Sequence, residues 1–219
     1  MLQKIKQALP GAVTPSLTTK DALFDLYEAY IFSRLIVAAQ QDHYVVSFRT
    51  GTTGPLPIVA GRRRLVLRRG PGVIWSPDFA HALLAHSGQA LLEVHIGIRG
   101  EGQSGVTHEC DVSAIRTDEC DEARRQSFHP RARAIVMAFE CKYYDTDLTL
   151  GLLREFLGLT TDLRSQNTQS WLASNVSHGE LPALFRHHHR RWTDELVPNS
   201  DAERRFVGVI EDELHRLRR

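Results

Sequence analysis

The run Ala134-Ile135-Val136-Met137-Ala138-Phe139-Glu140-Cys141-Lys142 most constrains what this chain can fold into. It reads as a buried strand whose apolar length ends in Glu-x-Lys. Side chains alternate along a strand, so Glu140 and Lys142 emerge on the same face. An acid and a base delivered together at the end of an apolar rod are costly in a core and useful at a metal site. A second acidic group, Glu109-Cys110-Asp111, sits on the strand expected just upstream.

With 219 residues, the chain fits one large domain, with or without insertions. The longest apolar run, residues 29–39, is broken by Ser33 and Arg34 and falls short of the ~18 residues that span a bilayer. The segment Met1-Leu2-Gln3-Lys4-Ile5-Lys6 is not followed by a signal-type apolar core. The expectation is a cytoplasmic protein with no membrane partner. A net charge of +1 excludes a generically basic nucleic-acid binder. Basic residues nevertheless cluster at 62–64, 68–69, 124–125, 131 and 133, 186–191 and 216–219. Such clusters can follow a phosphate backbone or simply form solvated surface. Three cysteines, Cys110, Cys120 and Cys141, are an odd number with no zinc-finger spacing, which points to packing rather than disulfides.

Hydrophobic spacing gives the organisation. Residues 1–17 read as an arm or loop and 19–40 as a helix. Strands are expected at 44–48, 90–98, 106–115, 132–143 and 169–173, with a hairpin formed by 65–67 and 73–75. Residues 51–57 and 117–130 read as connections. Helices are expected at 148–159, 180–196 and 201–217, with Ser200 or Asp201 as a cap for the last. The whole predicts an α/β chain with a mixed central sheet flanked by helices. It is read as a single domain over 1–219, with a β-rich elaboration at 43–76 and C-terminal helices at 180–219.

The chemistry centres on Asp111 and Glu140. A hard divalent ion such as Mg²⁺ takes oxygen ligands, often one or two carboxylates plus water and substrate phosphate. Two acids from neighbouring strands can converge on such an ion. Lys142 can hold or help deprotonate a water, or steady developing phosphate charge. The reaction these groups suggest is metal-assisted hydrolysis of a phosphodiester. Glu109 shares a face with Asp111 if the strand is regular.

His108-Glu109-Cys110-Asp111, then Phe139-Glu140-Cys141-Lys142-Tyr143, then the helical segment 148–159, resembles the PD-(D/E)xK superfamily of restriction-endonuclease-like nucleases. The resemblance covers roughly residues 88–175. The position before the acid, usually Pro in that pattern, is Cys110 here. The resemblance implies a restriction-endonuclease-like core with an added β-hairpin region. It implies Asp111 and Glu140 as metal ligands, the Cys141 carbonyl as a further ligand and Lys142 as the group that positions or activates water. Some members add an acid from the first helix, which makes Glu28 the candidate here, beside the reading of Glu28 as a solvent-facing or ion-paired residue. Mg²⁺ is the implied cofactor, with Mn²⁺ as a substitute. The implied activity is DNA phosphodiester hydrolysis by an endonuclease, in a prokaryotic defence or restriction role. The partners are DNA and either a second copy or other defence-system subunits. The alternatives are a repair or recombination nuclease on branched or single-stranded DNA, and a non-catalytic assembly subunit. Gln166 and Gln169 are weaker candidates for contact with DNA or water. The 187–191 run His-His-His-Arg-Arg reads as a polar helix surface, and Trp171 and Trp192 as packing aromatics.

Overall fold

The computed structural model describes residues 1–164, 168–177 and 179–218. In chain order the elements are α1 (Leu2–Ala8), β1 (Val13–Pro15), α2 (Leu23–Gln41), β2 (Val45–Thr50), β3 (Ile58–Val59), β4 (Arg62–Leu65), β5 (Ala80–His86), β6 (Gln89–Glu101), β7 (Thr107–Arg116), α3 (Thr117–Gln126), β8 (Ile135–Lys142), α4 (Leu150–Asp162), β9 (Gln169–Ser174), α5 (Leu181–His187), β10 (Arg191–Thr193) and α6 (Asp201–Leu217). Among the described residues the main sheet runs β10-β9-β8-β7-β6-β5-β2, and β1-β4-β3 form a small second sheet. The main sheet is antiparallel from β2 to β8 and parallel across β8, β9 and β10. No described helix is long and apolar enough to cross a membrane.

The interior strands are apolar on both faces because helices cover both. On β8, Phe139 and Cys141 join the core beneath α2 and α6, while Ala138 joins the core beneath α3 and α4. On β9, Trp171 stacks on Phe139 at 5.3 Å, and Leu172 turns to the opposite core under α4 and α5. The two aromatics dominate this centre by area. Truncating either to Ala costs roughly 3–5 kcal/mol.

Buried charge ties the helical layer together. Arg34 Nη1 lies 2.9 Å from Glu203 Oε1, its Nη2 donates to Lys4 O at 2.9 Å, and Lys4 Nζ lies 3.1 Å from Glu203 Oε2. One carboxylate thus joins α1, α2 and α6. Glu203 is also placed by its own helix start, where Ser200 Oγ accepts its N–H at 3.0 Å and its carboxylate reaches back to Asn199 N at 2.7 Å. This is a capping box shifted by one residue.

Five expectations need correction. Residues 1–17 are not a loop. They form α1 and β1, with Ile5 and Ala8 buried, because a helix of about two turns, too short to be stable alone, is held by packing on α2. The hairpin expected from 65–67 and 73–75 does not form. The turn lies earlier, at Ala60-Gly61, both in left-handed conformation, and β4 pairs with β3 and β1. The Gly70-Pro71-Gly72 segment instead docks on β6, with Gly72 N donating to Gly97 O at 2.8 Å. Strand β5 was not foreseen, although Ser87-Gly88, both at positive φ, mark its hairpin turn. Residues 117–126 are helix α3 rather than a connection. Their charge conceals a short buried stripe of Cys120 and Ala123. The helix expected over 180–196 ends at His187, His189 takes φ +51, and Arg191–Thr193 adds a strand parallel to β9.

Candidate active site

A bend in the β6–β7 hairpin builds the site. Ile96 and Ile98 should share a face, yet Ile96 packs with the α2 core and Ile98 with the α3 core. Between them Gly97 takes φ +60, a conformation side chains disfavour, and a Cβ there would lie 2.6 Å from Gly70 O. The partner strand changes face at the same level, with Val112 in one core and Cys110 in the other. Beyond the bend the hairpin leaves β8. The recorded β7–β8 register ends at Val112 opposite Phe139. The tip docks elsewhere, with Glu101 N donating to Pro130 O at 2.8 Å. Asp162, at the end of α4, holds it further by accepting from Ser104 N at 2.8 Å and Ser104 Oγ at 2.6 Å, with His108 Nε2 at 2.6 Å.

Asp111 sits at this divergence. Its Oδ2 accepts the Cys141 N–H at 2.7 Å, so the carboxylate occupies the place where a ladder carbonyl would otherwise satisfy that amide. Glu140 and Lys142 share a face, as alternation requires, and their Oε1 and Nζ lie 2.6 Å apart. Glu28 comes from α2, and its Oε2 is buried with no hydrogen-bond partner. Cys141 contributes its amide, while its thiol is buried in the α2 core.

The electrostatics place these acids in one another's fields. Burial pushes Glu28 up to about 9, aided by the charges of Asp111, Asp25, Glu109 and Glu140. Burial and then Glu140 push Asp111 up to about 7, against the Cys141 amide and Lys142. Glu109 is raised by burial and Glu140, and opposed by Arg99, Lys142 and Arg68. Burial lowers the Lys142 ammonium, but Glu140 and Asp111 outweigh it and hold the group above its ordinary range. Among the described residues, no three of these carboxylate oxygens lie within 4.8 Å of one another. The arrangement is an open ring of acids rather than a closed cage. An ion that keeps several of its waters suits such a ring. The Glu28 oxygen has no partner, and the carboxylates are raised first by burial and then by one another, so a divalent cation among them would meet acidic oxygen ligands that fit it.

Sequence reading brought Asp111, Glu140, Lys142 and Glu28 forward, and the fold gathers all four. It missed Arg68 and Arg99, which stand in the field of Glu109. It also missed Asp162, which anchors the hairpin tip. The signal for Arg68 was the Arg-Gly-Pro-Gly stretch whose glycines allow close docking on β6. A separate basic cavity of about 510 Å³ is lined by Arg164, Arg190, Arg191, His188 and Gln169 among others. Gln166 lies outside the described residues. Trp171 is core, with the Arg191 guanidinium 4.8 Å from its ring centre, and Trp192 packs edge-on to Phe185. A third group escaped notice, His81, Glu93 and His95, which meet across β5 and β6. Its signal was Glu93 and His95 alternating with apolar residues in a strand otherwise fit for burial.

No protein-family model, curated protein or solved structure matches this chain.

Proposed function

We propose that this protein is a Mg²⁺-dependent endonuclease of PD-(D/E)xK type that hydrolyses DNA phosphodiester bonds. The observation that carries the reading is the gathering of Glu28, Glu109, Asp111 and Glu140 at the β7–β8 divergence, with Lys142 paired to Glu140. The order of acid strand, Glu-x-Lys strand and following helix, here β7, β8 and α4, supports the same reading. Asp111, Glu140 and Glu28 would hold the ion. When bound, such an ion makes water a stronger nucleophile and neutralises charge on the phosphate.

The roles of the chain's own groups follow from their surroundings. The Cys141 amide fixes the direction of Asp111. Lys142, kept protonated by its acidic neighbours, serves as a hydrogen-bond donor to water or to a phosphate oxygen rather than as a proton acceptor. Arg68 and Arg99 add positive charge beside Glu109, where a bound phosphodiester would need it. The basic cavity beside Arg190 gives a DNA backbone a second place to rest. The defence or restriction setting rests on the family resemblance.

The test is plasmid nicking in Mg²⁺ and in EDTA, by wild type, Asp111→Asn and Lys142→Ala. The expected result is cleavage by wild type in Mg²⁺ alone, reduced at least 100-fold in both variants, an effect of the size seen when one group that stabilises developing charge is removed. Cleavage that persists unchanged in either variant overturns the proposal.

A further inference from the structure

We propose a second metal site, distinct from the acidic ring, in which His81, His95 and Glu93 bind one zinc-class divalent ion. Antiparallel pairing places Ala82 opposite Val94. His81 on β5 therefore lies level with His95 on β6, and Glu93 stands two residues before His95 on the same face. The two imidazoles stack at 4.9 Å. Glu93 Oε2 lies 2.9 Å from His95 Nε2 and 3.4 Å from His81 Nε2, and one donor atom from each residue falls within 4.8 Å of the others.

These separations match metal coordination. Ligands about 2.0–2.1 Å from a tetrahedral ion stand roughly 3.3–3.4 Å from one another. The observed 2.9 and 3.4 Å straddle that spacing, so small side-chain shifts would admit an ion. His81 supplies the independent observation. It is 1% exposed, and neither ring nitrogen makes a hydrogen bond. A buried imidazole with both nitrogens unpartnered is costly, and a metal bond to Nε2 removes half of that cost. Two imidazoles with one carboxylate select zinc, cobalt or nickel over Mg²⁺, which prefers oxygen and water.

Arg124 and Cys120 face Glu93, and Arg49 and Arg68 add positive charge near His81 and His95 respectively. Arg124 Nη1 donates to Glu93 Oε1 at 2.8 Å, and its Nη2 touches Oε2. Arg124 Nε is fixed by Gly51 O at 2.7 Å. With an ion present, Arg124 keeps its bond to Oε1 and orients the carboxylate, as outer-layer partners of metal ligands do. The Cys120 thiol also lies against Glu93. Arg124 borders a cavity of about 490 Å³ with Gly51, Trp75 and Asp121.

The test loads tag-free protein with Zn²⁺ or Co²⁺, removes free ion and measures bound metal by mass spectrometry. Three backgrounds are compared. Asp111→Asn/Glu140→Gln disables the acidic ring. A variant with Ala at 187, 188 and 189 removes the exposed histidine run. His95→Gln and His81→Ala disable the proposed site. The expected result is one ion per chain where Asp111→Asn/Glu140→Gln disables the acidic ring, at least one in wild type and in the 187–189 variant, a raised thermal midpoint on loading, and at least a tenfold loss of retained metal when His81→Ala or His95→Gln is added to the disabled acidic ring. Loaded wild type that retains no ion, or loses it in the 187–189 variant, overturns the proposal. If the His81 and His95 variants do not fold, the acidic-ring and 187–189 backgrounds still decide it, read through the number of nitrogen ligands in the Co²⁺ spectrum.

Discussion

Glu28→Gln isolates the electrostatic cost of the acidic ring. Gln keeps the shape and removes the ionisation. In metal-free protein Glu28 is held up to about 9, against an ordinary value of 4.5. Its folded pKa is raised, so between those values the native state holds a proton that the unfolded chain releases, and stability falls as pH rises. At 1.36 kcal/mol per unit, the penalty relative to Gln is about 0.7 kcal/mol at pH 5 and about 3 kcal/mol at pH 7. For a chain of this size, the pH 7 figure corresponds to a thermal midpoint roughly 6–12 °C higher for the variant. Urea unfolding in EDTA at pH 5 and pH 7 measures it. The expected result is a variant that matches wild type closely at pH 5 and exceeds it at pH 7, with an unchanged denaturant slope. A variant less stable than wild type at pH 7, or a gain independent of pH, would refute the reasoning.

Three further outcomes follow from the structure. Arg124→Ala leaves Glu93 buried without its cation and should destabilise by roughly 3–5 kcal/mol, while Glu93→Gln/Arg124→Met should recover much of that in chemical denaturation. Gly97→Ala forces a Cβ against Gly70 O at a left-handed position and should cost about 1–3 kcal/mol. The same change should also reduce cleavage, because Arg68 and Asp111 flank the bend. Ser200→Ala removes the α6 cap and should cost about 1 kcal/mol in the same unfolding assay.

The elements with long periodic patterns were legible from sequence. α2, β7, β8, α4, β9 and α6 lie where hydrophobic spacing placed them, within a few residues. Thr149, which interrupts an apolar run, proved to be the N-cap of α4, accepting the Leu152 N–H. The failures share a cause. α1, α3, β5 and β10 are short elements whose residues gain their conformation from neighbours rather than from their own pattern. α3 hides two buried apolar residues, Cys120 and Ala123, among charges, and β10 exists because the edge of β9 accepts it. The acids and Lys142 could be named because their spacing along two strands is local. The bend at Gly97 that swings Asp111 to Cys141 could not, since it depends on Gly70, from a distant loop, packing against β6.

The most direct test of the acidic ring as a cation site is calorimetric titration of Mn²⁺ into EDTA-stripped wild type and Asp111→Asn at pH 8, where Asp111 is ionised. The expected result is saturable binding that releases protons in wild type, because Glu28 must give up its proton, and at least tenfold weaker binding in Asp111→Asn. Equal affinity in both proteins, or no binding in wild type, would contradict the assignment of Asp111, Glu140 and Glu28 to a metal.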